Sequence, residues 1–329
     1  MGDQVFFNCS NLETVVLSNS VSMIQRQTFY GCASLVDITI PGSVVYLGEG
    51  AFQGCASLEE MTISNSMQYM GNDLFNGCSS LRDVTIGNSV TYLGNRAFQD
   101  CASLVDIAVP NSVRYMGDYI FKGCSSLRDV TIGNSVTYLG EGAFQNCTAL
   151  TGIVLPDLEA PVREYLFSGC ISLTDVTIGN SATWIQYRAF ENCRSLQRVT
   201  IPESIGGVNW YAFTGCSSLV DVTCLAATPP TAVDGSFDQS TYTSATLHVP
   251  ALSLDAYKAA TCWKEFTAVE GIYKPGDVNC DGAVDVSDVT ALIAMILNGN
   301  TSPVGDINND DDVDVSDVTL LIAMILNAA

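Results

Sequence analysis

Cysteine returns every 23 residues: Cys9, Cys32, Cys55, Cys78, Cys101, Cys124, Cys147, Cys170, Cys193 and Cys216. So constant a step restricts the chain to an architecture in which every unit copies the last, because one such unit cannot bury its own apolar side chains and must share those of its neighbours. Phe stands three residues before each of these cysteines, from Phe6 to Phe213, and Leu three residues after, from Leu12 to Leu219. One unit, residues 78–100, reads CSSLRDVTIGNSVTYLGNRAFQD. Its VTI segment is β-branched and alternates, which puts Val84 and Ile86 on one face and Thr85 on the other. Equivalent segments of successive coils then lie about 4.8 Å apart in parallel sheets. Gly71, Gly94, Gly117 and Gly140 recur in the Y-L-G or Y-M-G segment, where the expectation is a sharp turn of the coil.

The ten thiols follow the same ruler. Side chains stacked in register at about 4.8 Å and pointing in parallel miss the disulfide Cβ separation of about 3.8 Å, and a straight row lacks the tetrahedral convergence of a thiolate metal site. A buried thiol ladder is expected. Cys224 falls on a repeat Ile position and reads as core, whereas Cys262 and Cys280 lie outside the ladder and stay unassigned.

Composition removes several function classes. With 13 Lys+Arg against 35 Asp+Glu and a net charge of -22, the chain has no basic stripe to neutralise phosphates, so neither nucleic acid nor an anionic membrane is an expected partner. No apolar run approaches the roughly 20 residues of a membrane span. No P-loop, HExxH or dinucleotide fingerprint is present, and the single His248 has no Ser or Cys motif beside it to activate. The expected protein is not an enzyme.

The pattern CxSLxxVTIxNSVxxLGxxAFxxC resembles the BspA-like class of bacterial leucine-rich repeats over residues 1–224, about ten copies. The resemblance implies a solenoid of a surface or secreted protein that binds other proteins or host matrix. Two departures stand out: Asn comes one place earlier than in the usual repeat, and the seventh copy, CTALTGIVLPDLEAPVREYLFSG, loses its NSV and Gly positions and is expected to distort one coil. The opening MGDQVFFNC aligns with LGEGAFQGC, in mid-coil and without a polar cap, so the expectation is an N-terminally truncated solenoid whose signal peptide lay upstream.

Two stripes follow from stacking. Tyr46, Tyr69, Tyr92, Tyr115 and Tyr138 share one coil position, taken by Trp184 after the irregular copy. They form either an aromatic strip for sugar rings or peptide, or a packing ladder over the adjacent sheet. Asp37, Glu60, Asp83, Asp106, Asp129, Asp175 and Asp221 share another position, and like charges so close must be solvated. That row either meets a cationic partner or only keeps the solenoid soluble.

After Cys224 the period is expected to stop. Residues 225–273 read as an α/β cap: a strand, a short helix with Tyr257 and Trp263, and a final strand. Such a segment looks like the C-terminal cap of BspA-like repeats, and without one the last coil would expose its core. The stretch GDVNCDGAVDVSDVTALIAMIL then recurs 29 residues later as GDINNDDDVDVSDVTLLIAMIL. Each half is a twelve-residue loop (277–288 and 306–317) with oxygen-bearing side chains at positions one, three, five, nine and twelve, the spacing of a calcium loop, followed by one helix.

A paired loop-helix of this kind, with Asp rather than Glu at position twelve, resembles a type I dockerin over residues 274–329. The resemblance implies two Ca2+. In the first loop they would be held by Asp277, Asn279, Asp281, Asp285, Asp288 and the Ala283 carbonyl, and in the second by Asp306, Asn308, Asp310, Asp314, Asp317 and the Asp312 carbonyl. Position six is Gly282 in one loop and Asp311 in the other, so the second site is expected to be the weaker. It also implies a cohesin partner, recognised by Val286, Ser287, Ile293, Ala294 and Asn298 and by the same five residues of the second half, Val315, Ser316, Ile322, Ala323 and Asn327. The alternative is that these helices pack only on each other or on the cap.

The fold class expected is thus a repeat solenoid of parallel β coils with a small α/β cap, followed by a small all-α calcium-binding dockerin domain. The expected role is a non-catalytic secreted or cell-surface binding protein, the dockerin tethering it to a cohesin on a scaffold or cell surface. The alternatives are an accessory, glycan-binding subunit of a polysaccharide-degrading complex, and an enzyme whose catalytic part lies upstream.

Overall fold

The computed structural model describes residues 1–329 apart from Glu159, Cys280, Asp281 and Ala329, and without the Ala328 side chain. Each regular coil contributes two short strands. One carries the VTI segment, as in Asp83–Thr85 and Asp106–Val109; the other carries the tyrosine position, as in Tyr92–Leu93 and Tyr115–Met116. Where strands of neighbouring coils pair they do so in parallel and in register, Asp106 with Asp129 and Tyr115 with Tyr138. The third side has no strand, but its amides still bond to the next coil, as Phe75 N does to the Ala97 carbonyl at 2.7 Å and Phe98 N to Ile120 at 2.9 Å. The tyrosine side and the strandless side thus bond coil to coil, whereas the VTI strands from Thr14–Val16 to Asp175–Thr177 pair two by two, Asp83–Thr85 with Glu60–Thr62 and Asp106–Val109 with Asp129–Ile132.

The core is built from two columns. Phe rings from Phe6 to Phe237 stack with centroids 4.9 to 5.6 Å apart, and all those from Phe29 to Phe213 are fully buried. Beside them the thiols run as a buried, unbridged ladder: from Cys32 to Cys216, each Sγ–H donates to the carbonyl of the Phe 26 positions earlier, at 3.0 to 3.3 Å. The small, weakly polar thiol thereby occupies core space and serves a carbonyl that the sheets leave over. Burial pushes the thiols up, Cys78 and Cys170 to about 12.

The recurring glycines have a different cause from the one their sequence context suggests. Gly71, Gly94, Gly117 and Gly140 have no positive φ, so no turn requires them. A Cβ on Gly94 would stand 2.6 Å from Asn72 N and from the carbonyl of Gly71. Close approach of successive coils is what excludes a side chain. The left-handed positions lie elsewhere in the coil, for example at Asp73 (φ 54) and Gly77 (φ 77). Gly94→Ala is accordingly expected to lower stability by about 1–3 kcal/mol, since overpacking against backbone cannot relax. Gly152→Ala, where the nearest atom to a new Cβ is 3.6 Å away, should stay within about 0.5 kcal/mol. Urea unfolding followed by circular dichroism measures both, and equal midpoints would refute the close-approach account.

The seventh coil breaks one sheet, as the irregular copy leads one to expect. The six-stranded sheet of tyrosine positions ends at Tyr138–Leu139, and a three-stranded sheet takes over at Trp184–Ile185, with the isolated bridge of Val162 to Ile185 between them among the described residues. Coil geometry does not stop at Cys224. Thr231–Ala232 pairs with Gly207–Val208, and Phe237 stacks on Phe213 at 4.9 Å, one further coil. The step here is 24 rather than 23, which hides the continuation from a fixed ruler. Helix Gln239–Ser244 then leads to strands Thr246–Pro250 and Ala268–Ile272, which extend the VTI sheet in parallel. Tyr257 lies on helix Leu254–Ala259, but Trp263 sits in a separate 3-10 turn, Trp263–Glu265. Trp263 Nε1–H donates to Pro230 O and Tyr257 O–H to Ala226 O, so both polar tips are satisfied while the rings close the core.

The tail forms helices Val286–Leu297 and Val315–Ala328, each beginning within its acidic loop, so that the last three of the twelve expected loop positions, 286–288 and 315–317, are the first helical turn. They pack on a small apolar cluster of their own, centred on Val278, Leu292 and Leu321 and distinct from the solenoid core.

Candidate functional site

Three features carry polar or aromatic groups that could meet a ligand. The first is the VTI sheet face. Six of the seven acids of the row are exposed and Asp221 is half-buried, as mutual repulsion demands. The row is not uniform. Gly152 takes the acid's place in the seventh coil, paired with Asp175, and Arg198 takes it in the ninth, paired with Asp221. Both exceptions are visible in the sequence as gaps in the row, at the positions five after Cys147 and Cys193. At the C-terminal end Thr246 takes the row's position, paired with Asp221, and His248 two residues on places Nε2 2.9 Å from Asp221 Oδ1 and Nδ1 3.6 Å from Glu270 Oε2. The lone histidine thus bridges carboxylates of the neighbouring strands, and no hydroxyl or thiol nucleophile is hydrogen-bonded to it among the described residues.

The second feature is the tyrosine strip. Tyr46, Tyr69, Tyr92, Tyr115 and Tyr138 do stack, with interplanar angles of 3 to 15° and the inner rings 4.4 to 4.7 Å apart. Their faces are therefore covered by one another, and only edges and hydroxyls reach solvent. Arg163 lies over the last ring, 4.6 Å from the Tyr138 centroid, and ends the column. Trp184 does not continue it. Its ring lies where a Gly207 side chain would stand, at 2.1 Å from the Cβ position, on the far side of the distorted coil. Burial, then the neighbouring tyrosine, pushes the Tyr92 and Tyr115 hydroxyls up, so the strip carries no charge at neutral pH.

The third feature is the pair of acidic loops. Asp285 caps the first helix: its carboxylate accepts from Ser287 N at 2.7 Å, and Asp288 reaches back to Asp285 N at 2.9 Å. Asp314, Ser316 and Asp317 repeat this arrangement in the second loop. The serine hydroxyl and amide hold Asp285 and Asp314 below the usual carboxylate range. Asp288 and Asp317 are fully buried, Asp277 nearly so, and no basic residue follows Lys274. Asp277 Oδ2 accepts from Gly282 N at 2.9 Å, while Oδ1 has no hydrogen-bond partner among the described residues. Gly282 (φ 91) and Asp311 (φ 69) both take the left-handed conformation at loop position six, the turn the spacing calls for.

Among the described residues no three acidic, His or Cys side chains already converge as a metal group; Asp281 falls outside them. In the second loop the oxygens are engaged by backbone amides, Asp306 by those of Asp310 and Asp311 and Asp317 by those of Ile307, Asn308 and Asp314. A carboxylate has about four acceptor sites, so these bonds leave lone pairs free. The ten residues named for partner recognition, Val286 to Asn298 and Val315 to Asn327, are all exposed, with Val286 71% and Val315 69% accessible. They are not consumed by packing of the helices on each other or on the cap.

Known proteins place the solenoid. A leucine-rich repeat protein from Bacteroides ovatus is 25% identical, covers 82% of this chain and 80% of its own, and superposes with a TM-score of 0.51. A leucine rich cell surface protein from Faecalibacterium prausnitzii shares 23% identity over 85% of this chain and 78% of its own (TM-score 0.46), and the T. pallidum leucine rich repeat protein 28% over 56% and 83% (TM-score 0.43). No curated protein matches. Residues 1–128, 93–220 and 149–253 each match the BspA type leucine rich repeat region. Coverage of most of the 329 residues, by a pattern whose Phe, Cys and Leu positions build the observed core, makes the chain a member of the BspA-type leucine-rich repeat family.

Proposed function

We propose that this chain is a non-catalytic binding protein whose solenoid presents a ligand face while its tail, a dockerin-like module, docks through calcium-ordered loops onto a cohesin-type partner outside the cell. The fold and family support a binding role. Asp277 carries the calcium reading: among the described residues its buried carboxylate accepts from Gly282 N through Oδ2 only, and leaving Oδ1 buried without a partner is costly unless a hard divalent cation offsets it.

Asp277, Asn279, Asp281, Asp285, Asp288 and the Ala283 carbonyl would hold one ion. Asp306, Asn308, Asp310, Asp314, Asp317 and the Asp312 carbonyl would hold the other. The ions would supply charge neutralisation and fix the helix starts. The exposed apolar positions Val286, Ile293, Val315 and Ile322 would then meet the partner, and the two matching halves would offer it two equivalent orientations. The boundaries 1–224, 225–273 and 274–329 stand in this reading as functional units, although coil packing runs on through Phe237. The glycan-binding alternative draws no support from the tyrosine column, whose ring faces cover one another.

Titration calorimetry of the full chain with CaCl2 tests the calcium reading. Heat of binding for two ions is expected, reduced to one in Asp277→Asn, with helical signal lost on EDTA treatment while the solenoid's β signal persists. Zero heat at millimolar CaCl2 would falsify it. Retention on an immobilised cohesin, dependent on calcium and lost on polar substitution of Val286 and Val315 together, tests the partner.

A further inference from the structure

A cavity of about 500 Å³ lies on the VTI face where strand Asp129–Ile132 and strand Gly152–Val154 pair with their other neighbours and not with each other. Its walls include Asp129, Thr131, Asn134, Val154, Asp175 and Thr177, around the bare backbone of Gly152. Backbone strain does not explain that glycine: its φ is not positive, and a Cβ would meet nothing nearer than 3.6 Å. The fold would accept the aspartate found at this position in neighbouring coils. What glycine leaves instead is a notch bracketed by two carboxylates and floored by Val154, 68% exposed.

In the row, Glu60 and Asp83 are engaged by Arg82 and Asp221 by His248, while Asp37, Asp106, Asp129 and Asp175 form no ion pair among the described residues; of these four, Asp129 and Asp175 are the two that line the notch. A smaller cavity of about 210 Å³ adjoins on the Asp175 side, bordered by Arg198, Thr200, Asp221 and Thr223. Along the sheet the charges therefore run negative, neutral, negative, positive, negative. This alternation would reject a uniformly cationic polymer and favours one cation placed at the notch.

We infer that the notch at Gly152 is a binding site for a single arginine side chain presented by an extended segment of a partner protein. The apolar stem lies on Val154 and the guanidinium sits between Asp129 and Asp175. A planar fork with several donors can serve two carboxylates at once, and a stem of methylene groups covers the exposed valine. The inference rests on the reading of the solenoid as the ligand-presenting part of the chain, and specifies where on it and for what chemistry.

The test uses the full chain with 13C-labelled Val methyls and, as probe, an acetylated and amidated Gly-Ser-Arg-Ser-Gly peptide, with its citrulline counterpart as the uncharged control. The Val154 methyl signals should shift saturably with the arginine peptide and not with citrulline. Asp129→Asn and Asp175→Asn should each weaken binding about two- to fivefold, the range for exposed ion pairs. Gly152→Leu, which fills the notch without changing charge, should abolish the shift, and Asp37→Asn should leave it unchanged. A silent Val154, or equal weakening by Asp37→Asn and Asp175→Asn, would overturn the site in favour of diffuse attraction to an anionic solenoid. The calcium titration would be untouched by either result, so the two readings fail separately.

Discussion

Raising the pH from about 8 to about 11 should unfold the solenoid, and the thiol ladder is the reason. Burial raises the thiols of Cys78, Cys101, Cys124, Cys147, Cys170 and Cys193, and does so to about 12 for Cys78 and Cys170. Below about pH 9, the ordinary thiol value, folded and unfolded chains both hold these protons, and stability does not depend on them. Above it the unfolded chain releases protons that the folded chain must keep, so the unfolded state binds fewer and stability falls as pH rises, up to about 12. Each thiol costs of the order of one kcal/mol per pH unit, and six together several, comparable with the whole stability of a domain. The transition should appear in circular dichroism together with thiolate absorbance. Replacing Cys101 and Cys124 by Ala should make it shallower and shift it upward. A solenoid that stays folded while all its thiols titrate would remove burial as the cause of the raised values.

The largest single-residue effect is expected at the centre of the phenylalanine column. Phe98 is fully buried and stacks on Phe75 and Phe121, both at 5.5 Å. Phe98→Ala removes a ring from two coil interfaces at once and leaves a cavity whose walls cannot close, since each is fixed by backbone bonds to its own neighbours. A loss of about 3–5 kcal/mol is expected. Phe6→Ala, half-buried and stacked only on Phe29, should cost much less. Urea midpoints of the two variants decide it; a loss under about 1 kcal/mol for Phe98→Ala would show that the column is not where the coils are held together.

Much of this architecture is present in the amino-acid order itself. Residues 23 apart stack because the chain returns to the same place once per coil, so a periodic sequence carries its own contact map. The buried Phe and Cys columns, the solvated acidic row and the coil distorted at the seventh copy could all be read that way. That a helix follows each acidic loop of the tail was likewise legible, although each helix begins three residues earlier than the loop bounds imply, with Asp285 as the cap of the first. What needed the tertiary structure were the departures from the period and the distances between coils. Gly94 proved to be required by the backbone of the preceding coil rather than by a turn, and Phe237 extends the stack despite a longer step. Arg163 closes the tyrosine column that Trp184 does not join. Gly152 is free of steric demand where Gly94 is bound by it, although both are glycines in a repeat. Each of these depends on how closely two segments a full coil apart come together, a quantity set by packing of the whole stack and not by the spacing of residues along the chain.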